Sequence, residues 1–347
     1  MTRTSADEAL DRLLESGRER AAAIDAHHAR LWEALTVATH GGKRFRPALV
    51  LATHDALGGT LAEAAAEVGA AVELLHTAFV VHDDVIDGDH VRRGRPNVSG
   101  TFRAEGLAGD MAAEDAVHYG STAAVLAGDL ALAAAVRAVA TCGAPATEVH
   151  RLLDLFDAAL HTTAAGELAD VRLSLLAGPA TLAESLVMEQ QKTSAYSFSL
   201  PLQAGAVLAG ADARRVDLLG EAGRLLGISF QLVDDLIGVF GDPSRTGKSA
   251  TNDLRTRKQT PLLVHAATTA EWAQVGAHLG RDLDDDDLQE VRRLLTASGS
   301  RAFVEGLADR HLAEARGLLA EAGLEPALVD GLLPAPALLL TGTEVAA

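Results

Sequence analysis

A single cysteine, Cys142, excludes an intrachain disulfide and a thiolate metal cluster, and makes a reducing, cytoplasmic setting the default. Proline is scarce, at 10 residues, and the alanine- and leucine-rich apolar positions recur every three or four residues instead of alternating. Positive charge is also in deficit. A net charge of −18 disfavours nucleic acid or an anionic membrane as partner, so a phosphorylated substrate must arrive with metal ions or at a local basic cluster. No run of 18 uncharged apolar residues reads as a membrane span. The polar stretch from Thr2 to Arg20 lacks the apolar core of a signal peptide. There is no Ser-His or Cys-His signature of a side-chain nucleophile. What remains is an all-α chain of 347 residues, 48% hydrophobic, expected to form one large helical domain.

Within it, Val80 to Pro96 stands out. Asp83, Asp84 and Asp87 fall within about one helical turn, and the i,i+4 spacing stacks Asp83 over Asp87. Like charges at that spacing repel by roughly 0.2–0.5 kcal/mol. Carboxylates just before Gly88, a helix stop, also oppose the negative end of the helix dipole. A positive partner is required. Clustered hard oxygen ligands suit Mg²⁺, which takes one or two carboxylates and completes its shell with water and substrate phosphate. Arg92 and Arg93, past a turn, can fork onto phosphate oxygens that the metal leaves free. A solvated acidic helix end is the plain alternative; the apolar lead-in Ala78, Phe79, Val80, Val81 argues against it.

Along the chain, residues of about 5 to 39 read as one amphipathic helix through Leu10, Leu13, Leu14, Ile24, Leu31 and Leu35. Gly41 to Pro47 breaks it, with Lys43, Arg44 and Arg46 in a loop able to meet a phosphate. Thr60 to Glu63 has the form of a capping box, opening a helix to Asp87 that also carries His76 two turns before Asp83. Asn97 to about Glu114 has no clear assignment, and helices resume near Ser121. Thr181 to Glu184 is a second capping box, leading to Lys192 and Thr193. Asp234 and Asp235 again end an apolar helix, and two such helices imply one shared metal cluster. Lys248, Asp253, Arg255, Arg257 and Lys258 follow in a polar segment read as a charged flap. The acid-rich run Asp282 to Asp287 has no apolar lead-in and reads as a solvated helix start. The remainder is helical to about Leu340, with a frayed tail from Thr341.

Six separated motifs in order, over roughly residues 35 to 265, resemble the trans-isoprenyl diphosphate synthase (polyprenyl synthetase) family. The resemblance implies an all-helical bundle with a central cavity, usually a homodimer, with isopentenyl diphosphate and an allylic diphosphate as substrates and three Mg²⁺ as cofactor. By resemblance, Lys43, Arg46 and His76 hold isopentenyl diphosphate, joined by Arg93, while Arg92 contacts the allylic diphosphate. Asp83, Asp84 and Asp87 match the first aspartate-rich motif, with two Mg²⁺; Asp234 and Asp235 match the second, with the third. Lys192, Thr193 and Gln231 match residues facing the allylic diphosphate, and Lys248 and Lys258 match the flap lysines. Gly238 stands where the second motif normally ends in Asp, which leaves Asp235 and Asp242 to support Asp234. Glu167 stands in place of Gln, and Thr251 and Arg257 in place of glycines.

The implied reaction ionises the allylic carbon–oxygen bond, with metal and cations neutralising the diphosphate and an apolar wall shielding the carbocation. A class I terpene cyclase is one competing reading, against which Lys43, Arg46 and His76 count, because a cyclase binds no second diphosphate. A non-catalytic subunit of a heteromeric prenyl synthase is another, hinted at by Gly238 and opposed by the intact first motif. Product length is expected to be set on the Asp83 helix by Phe79, Ala78 and Leu75, favouring geranylgeranyl over farnesyl diphosphate.

Overall fold

The structure is a computed structural model and describes residues 4–175, 178–241 and 251–330. It divides into two compact units: the described residues up to Asp157 with Pro201–Ala213, and Ala158–Leu200 with the described residues from Arg214 onward.

The first unit opens with α1 (Ser5–Ala22) and α2 (Ala26–Thr39). The single helix expected over 5–39 is therefore two. Asp25 leaves the helical path at φ −163° and accepts from the amides of His27 and His28. An N-cap of this kind outweighs unbroken apolar spacing, and Ile24, counted as apolar face, is exposed. The Trp32 ring packs so closely on Gly17 that a Cβ there would collide with it. After α3 (Phe45–Ala56), α4 runs Ala62–Ile86, close to the expected span. Its N-cap is Leu61 with no side-chain cap bond, so the Thr60–Glu63 box does not form. Its far end behaves as read: Asp87 is the C-cap and Gly88 follows at φ 71°.

Val91–Arg92 (β1) and Arg95–Pro96 (β2) form a two-stranded hairpin, Val91 opposite Pro96 and Arg92 opposite Arg95. Arg93 and Gly94 make its turn with φ 53° and 71°, the double positive-φ geometry of tight hairpins. The unassigned stretch from Asn97 then forms α5 (Val98–Ala108), capped by Asn97 Oδ1 accepting from the Gly100 amide at 2.8 Å, and the start of α6 (Ala113–Ala140). Val81 on α4 packs with Leu31, Val98, Phe102, Ala123 and Ala127, which fixes the acidic end of α4 against its neighbours. Both α4 and α6 are long and apolar enough to cross a bilayer by length and composition; most of the apolar window of α4 is buried in the protein.

Helix α7 (Ala146–Ser174) starts in the first unit and continues in the second, which also holds α8 (Leu182–Glu189), a wide π-turn segment (Gln190–Ser199), and α10 (Ala213–Phe240) from Arg214. Between the last two lies α9 (Leu200–Leu208). The Thr181–Glu184 capping box forms as read. Short helices α11 (Asn252–Arg255), α12 (Pro261–Ala266) and α13 (Trp272–Gly276) precede α14 (Asp285–Ala297), α15 (Ser300–Glu321) and α16 (Pro326–Asp330). Ile228, Leu232, Leu236 and Val239 of α10 form one core with Leu254, Leu262, Val291, Leu295 and Val304. Asp285, Asp286 and Asp287 lie in the first turn of α14, the favourable end of its dipole, as the reading of a solvated helix start required. The tail from Thr341, and Asp242 and Lys248, lie outside the described residues.

Candidate active site

In the first unit the aspartates meet an internal cation. Arg92 Nε donates to Asp84 Oδ1 at 2.7 Å and Arg92 Nη2 to Asp83 Oδ2 at 3.0 Å, so the hairpin aims one guanidinium back at the helix end. Asp84 is buried, and that burial pushes its carboxyl up to about 6, with Arg92 opposing and Asp83 adding to the shift. Asp83 is half-buried and Asp87 exposed.

The basic loop is organised by the same hairpin. Arg93 Nη1 donates to the Gly41 carbonyl. Arg44, in the left-handed region at φ 50°, donates to Glu73 Oε1 at 2.8 Å and lies 3.6 Å from Asp7. Glu73 is a buried acid that sequence reading passed over. The side chain of the N-cap residue Arg44 does not cap the amino end of α3, where Arg46 stacks its guanidinium over Phe45 at 4.5 Å. His76 is held well below the usual imidazole range, first by burial and then by Arg46, Arg93, Arg92 and Arg44. Four arginine charges that bear on one histidine make this a place suited to an anion. Lys43 is exposed on the loop. Of the residues assigned to product length, Leu75 and Ala78 are fully buried and Phe79 is half-buried.

In the second unit, Thr193 Oγ1 donates to Gln231 Oε1 at 3.3 Å, and Gln231 Nε2 to Asp235 Oδ1 at 3.1 Å. This joins three residues named from the sequence. Lys192 Nζ donates to Asp170 Oδ2 at 2.7 Å and to Oε1 of Glu167, the residue that stands in place of Gln, at 3.1 Å. The π-turn backbone carrying Lys192 runs so close to Gly166 that any Cβ there would overlap it. Glu189, also passed over, is fully buried; its carboxyl is raised well above the ordinary range by burial first and then by Asp235. Asp235 rises to about 7, again chiefly through burial. The two buried carboxyls share a side-chain hydrogen bond and titrate together. Lys258 is half-buried, its amide donating to the Asp253 carbonyl at 3.0 Å. Arg257 adopts φ 55°, the backbone expected of the glycine it replaces.

The donors fit a hard divalent ion. They are carboxylate oxygens, those of Asp235, buried between Gln231 and the Glu189 carboxyl, among them. Among the described residues no three acidic, imidazole or thiol groups converge as a ready cage. Mg²⁺ takes one or two carboxylates and completes its shell with water and substrate phosphate.

A family model for polyprenyl synthetase matches residues 28–295. The chain belongs to the polyprenyl synthetase family. It is 34% identical over 328 residues to a geranylgeranyl diphosphate synthase of Mycobacterium tuberculosis, covering 92% of this chain and 87% of that one. It is also 34% identical over 283 residues to a geranylfarnesyl diphosphate synthase of Aeropyrum pernix, covering 80% and 83%. A crystal structure of geranylgeranyl pyrophosphate synthase from Corynebacterium glutamicum, complexed with isoprenyl diphosphate and magnesium, superposes with TM-score 0.86 at 29% identity, covering 98% and 97%. This polyprenyl synthetase is thus a trans-prenyltransferase of helical fold, as its motifs implied; the hairpin is its one sheet among the described residues. The product names of the relatives differ, so family membership alone does not fix product length.

Proposed function

We propose that this polyprenyl synthetase condenses isopentenyl diphosphate with an allylic diphosphate to give a longer all-trans prenyl diphosphate and pyrophosphate, using Mg²⁺. The observation carrying the reading is the set of arginines, Arg44, Arg46, Arg92 and Arg93, whose charge bears on His76, on the same unit as the carboxylates of Asp83, Asp84 and Asp87. One diphosphate site built on metal-type ligands and another built on cations is what two diphosphate substrates require, and a terpene cyclase needs only the first. Asp83, Asp84 and Asp87 would hold two Mg²⁺, and Asp234 with Asp235 a third. Bound there, the ions supply the charge neutralisation that lets a diphosphate leave. The allylic carbon–oxygen bond breaks, with its electron pair going to the departing diphosphate. The double bond of isopentenyl diphosphate forms the new carbon–carbon bond, and a proton passes to pyrophosphate as the new double bond forms. Lys192, Thr193 and Gln231 orient the allylic group.

If Arg46 serves isopentenyl diphosphate, Arg46→Ala raises its apparent KM by about 10- to 100-fold, the loss of one charge-assisted hydrogen bond of roughly 1.5–3 kcal/mol, and barely moves that of the allylic substrate. Initial rates with each substrate varied in turn decide it; equal effects on both would undo the assignment.

We propose that geranylgeranyl diphosphate is the main product, with Phe79 as the floor for the growing chain. Phe79 keeps accessible surface four residues before Asp83, about 6 Å along the axis. Phe79→Ala should lengthen the product. Ala78→Phe should shorten it, with an overpacking penalty of about 1–3 kcal/mol because Ala78 is fully buried. An unchanged product distribution in both variants, read by chromatography of the dephosphorylated alcohols, rules Phe79 and Ala78 out as the floor.

A homodimer is the assembly we favour, because Val117, Val125 and Leu126 leave apolar side chains exposed along α6.

A further inference from the structure

The basic loop meets α4 where three helices crowd together. A Cβ added to Gly69 of α4 would stand 3.3 Å from the Ala6 Cβ of α1 and 3.5 Å from Pro47 of α3, so all three are in close contact there. Glu73 lies one turn further along α4, and His76 three residues beyond it on the same side. Into this corner Arg44 turns its guanidinium, 2.8 Å from Glu73 Oε1 and 3.6 Å from Asp7 Oδ1, with the Glu73 side chain 7% exposed and that of Arg44 19%. Two acids already offset its charge.

Core packing does not call for such a pair. Apolar side chains of similar volume serve a buried site as well or better, and Glu73 Oε2 is buried with no hydrogen-bond partner among the described residues. What the pair does fix is a backbone. Arg44 sits at φ 50° between Lys43 and Arg46, in a region that a non-glycine residue rarely adopts, and it is the residue from which α3 starts. At the other end of the loop Arg93 donates to the Gly41 carbonyl.

We propose that Arg44 and Glu73 are positioning residues for isopentenyl diphosphate: their buried ion pair holds the loop in the shape that presents Lys43 and Arg46 to the diphosphate, acting through the loop and not on the substrate. The inference rests on the assignment of this loop to isopentenyl diphosphate given above.

Two effects of Glu73→Gln have opposite signs, which makes it the deciding variant. Removing a negative charge beside a cationic site tightens diphosphate binding by electrostatics alone, whereas releasing Arg44 loosens the loop and weakens it. Initial rates with each substrate varied in turn should show the apparent KM for isopentenyl diphosphate raised by about 10- to 100-fold, the upper figure being the cost of one group misplaced by about 1 Å. The allylic KM and kcat should barely move. Exchanging both partners, Arg44→Met with Glu73→Leu, leaves the net charge as it was and fills the space with apolar volume. That protein should keep its melting temperature and still show the raised KM. Arg46→Ala serves as reference. An unchanged or lower KM in Glu73→Gln while Arg46→Ala raises it would overturn the proposal and leave the loop's assignment standing. Recovery of the wild-type KM in the double variant, equal rises for both substrates, or a Glu73→Gln protein whose circular dichroism shows loss of fold would make the pair part of the scaffold alone. No effect of Arg46→Ala would instead remove the assignment of the loop, and the proposal with it.

Discussion

Asp83→Ala or Asp234→Ala is expected to lower kcat by about 10²–10³-fold, the usual loss when one preorganised electrostatic element of a site is removed. The metal-free protein should keep its melting temperature. Asp83 gives up its bond to Arg92, a pair with side chains 23% and 41% exposed and so worth roughly 0.2–1 kcal/mol. Against that, its removal lifts the repulsion that helps push Asp84 upward, and Arg92 keeps its 2.7 Å bond to Asp84. Asp234 likewise burdens both Glu189 and Asp235, and its loss relieves both. Thermal unfolding in EDTA beside steady-state kinetics separates the effects. A fall of many degrees in either variant would show that these acids hold the fold, and the catalytic reading of the acidic helix ends would fail.

The helix end that carries the first acidic segment was legible because it rests on residue type at fixed helical spacing: Asp83 to Asp87 before Gly88 reads the same in sequence and in structure. Local competition was harder to see. Asp25 gave no sign by periodicity that it would cap a new helix, and Thr60 had the form of a cap that Leu61 took instead. In the hairpin, Arg93 occupies a backbone region that arginine rarely adopts, so the turn had a weak signature although Gly94 follows it. Long-range pairs were not legible at all. Glu73 reads as one more acid on an alanine-rich helix until Arg44 is seen beside it, and Glu167 and Asp170 gain meaning only with Lys192 between them. Glu189 and Asp253 belong to the same class. Their sequence neighbours are ordinary, and only the fold brings one to Asp235 and the other to Gly238.

Asp84→Asn should make the metal-free enzyme more stable at neutral pH, and the gain should vanish in acid. The Asp84 side chain is 4% exposed, and burial raises its carboxyl from 3.8 to about 6 in the folded protein despite Arg92. Below pH 4 both folded and unfolded chains carry the proton, so the group is neutral in the balance. As pH rises toward 6 the unfolded chain releases its proton first, and stability falls; above 6 both are ionised and the loss is complete. A displacement of that size corresponds to about 3 kcal/mol. Asparagine keeps the shape and an oxygen acceptor for Arg92 but cannot ionise, so wild type and variant should diverge between pH 4 and 6 and run parallel above. Denaturant titrations in EDTA across that range measure the difference. Mg²⁺ with pyrophosphate should then stabilise wild type more than the variant, since only the ionised carboxylate offers a ligand that the folded state gains by binding. A difference independent of pH, or a variant weaker than wild type at pH 7, would mean that the charged contact with Arg92 outweighs the burial of Asp84. In that case the buried carboxylate would be part of the scaffold of the hairpin and not a group held in reserve for the metal.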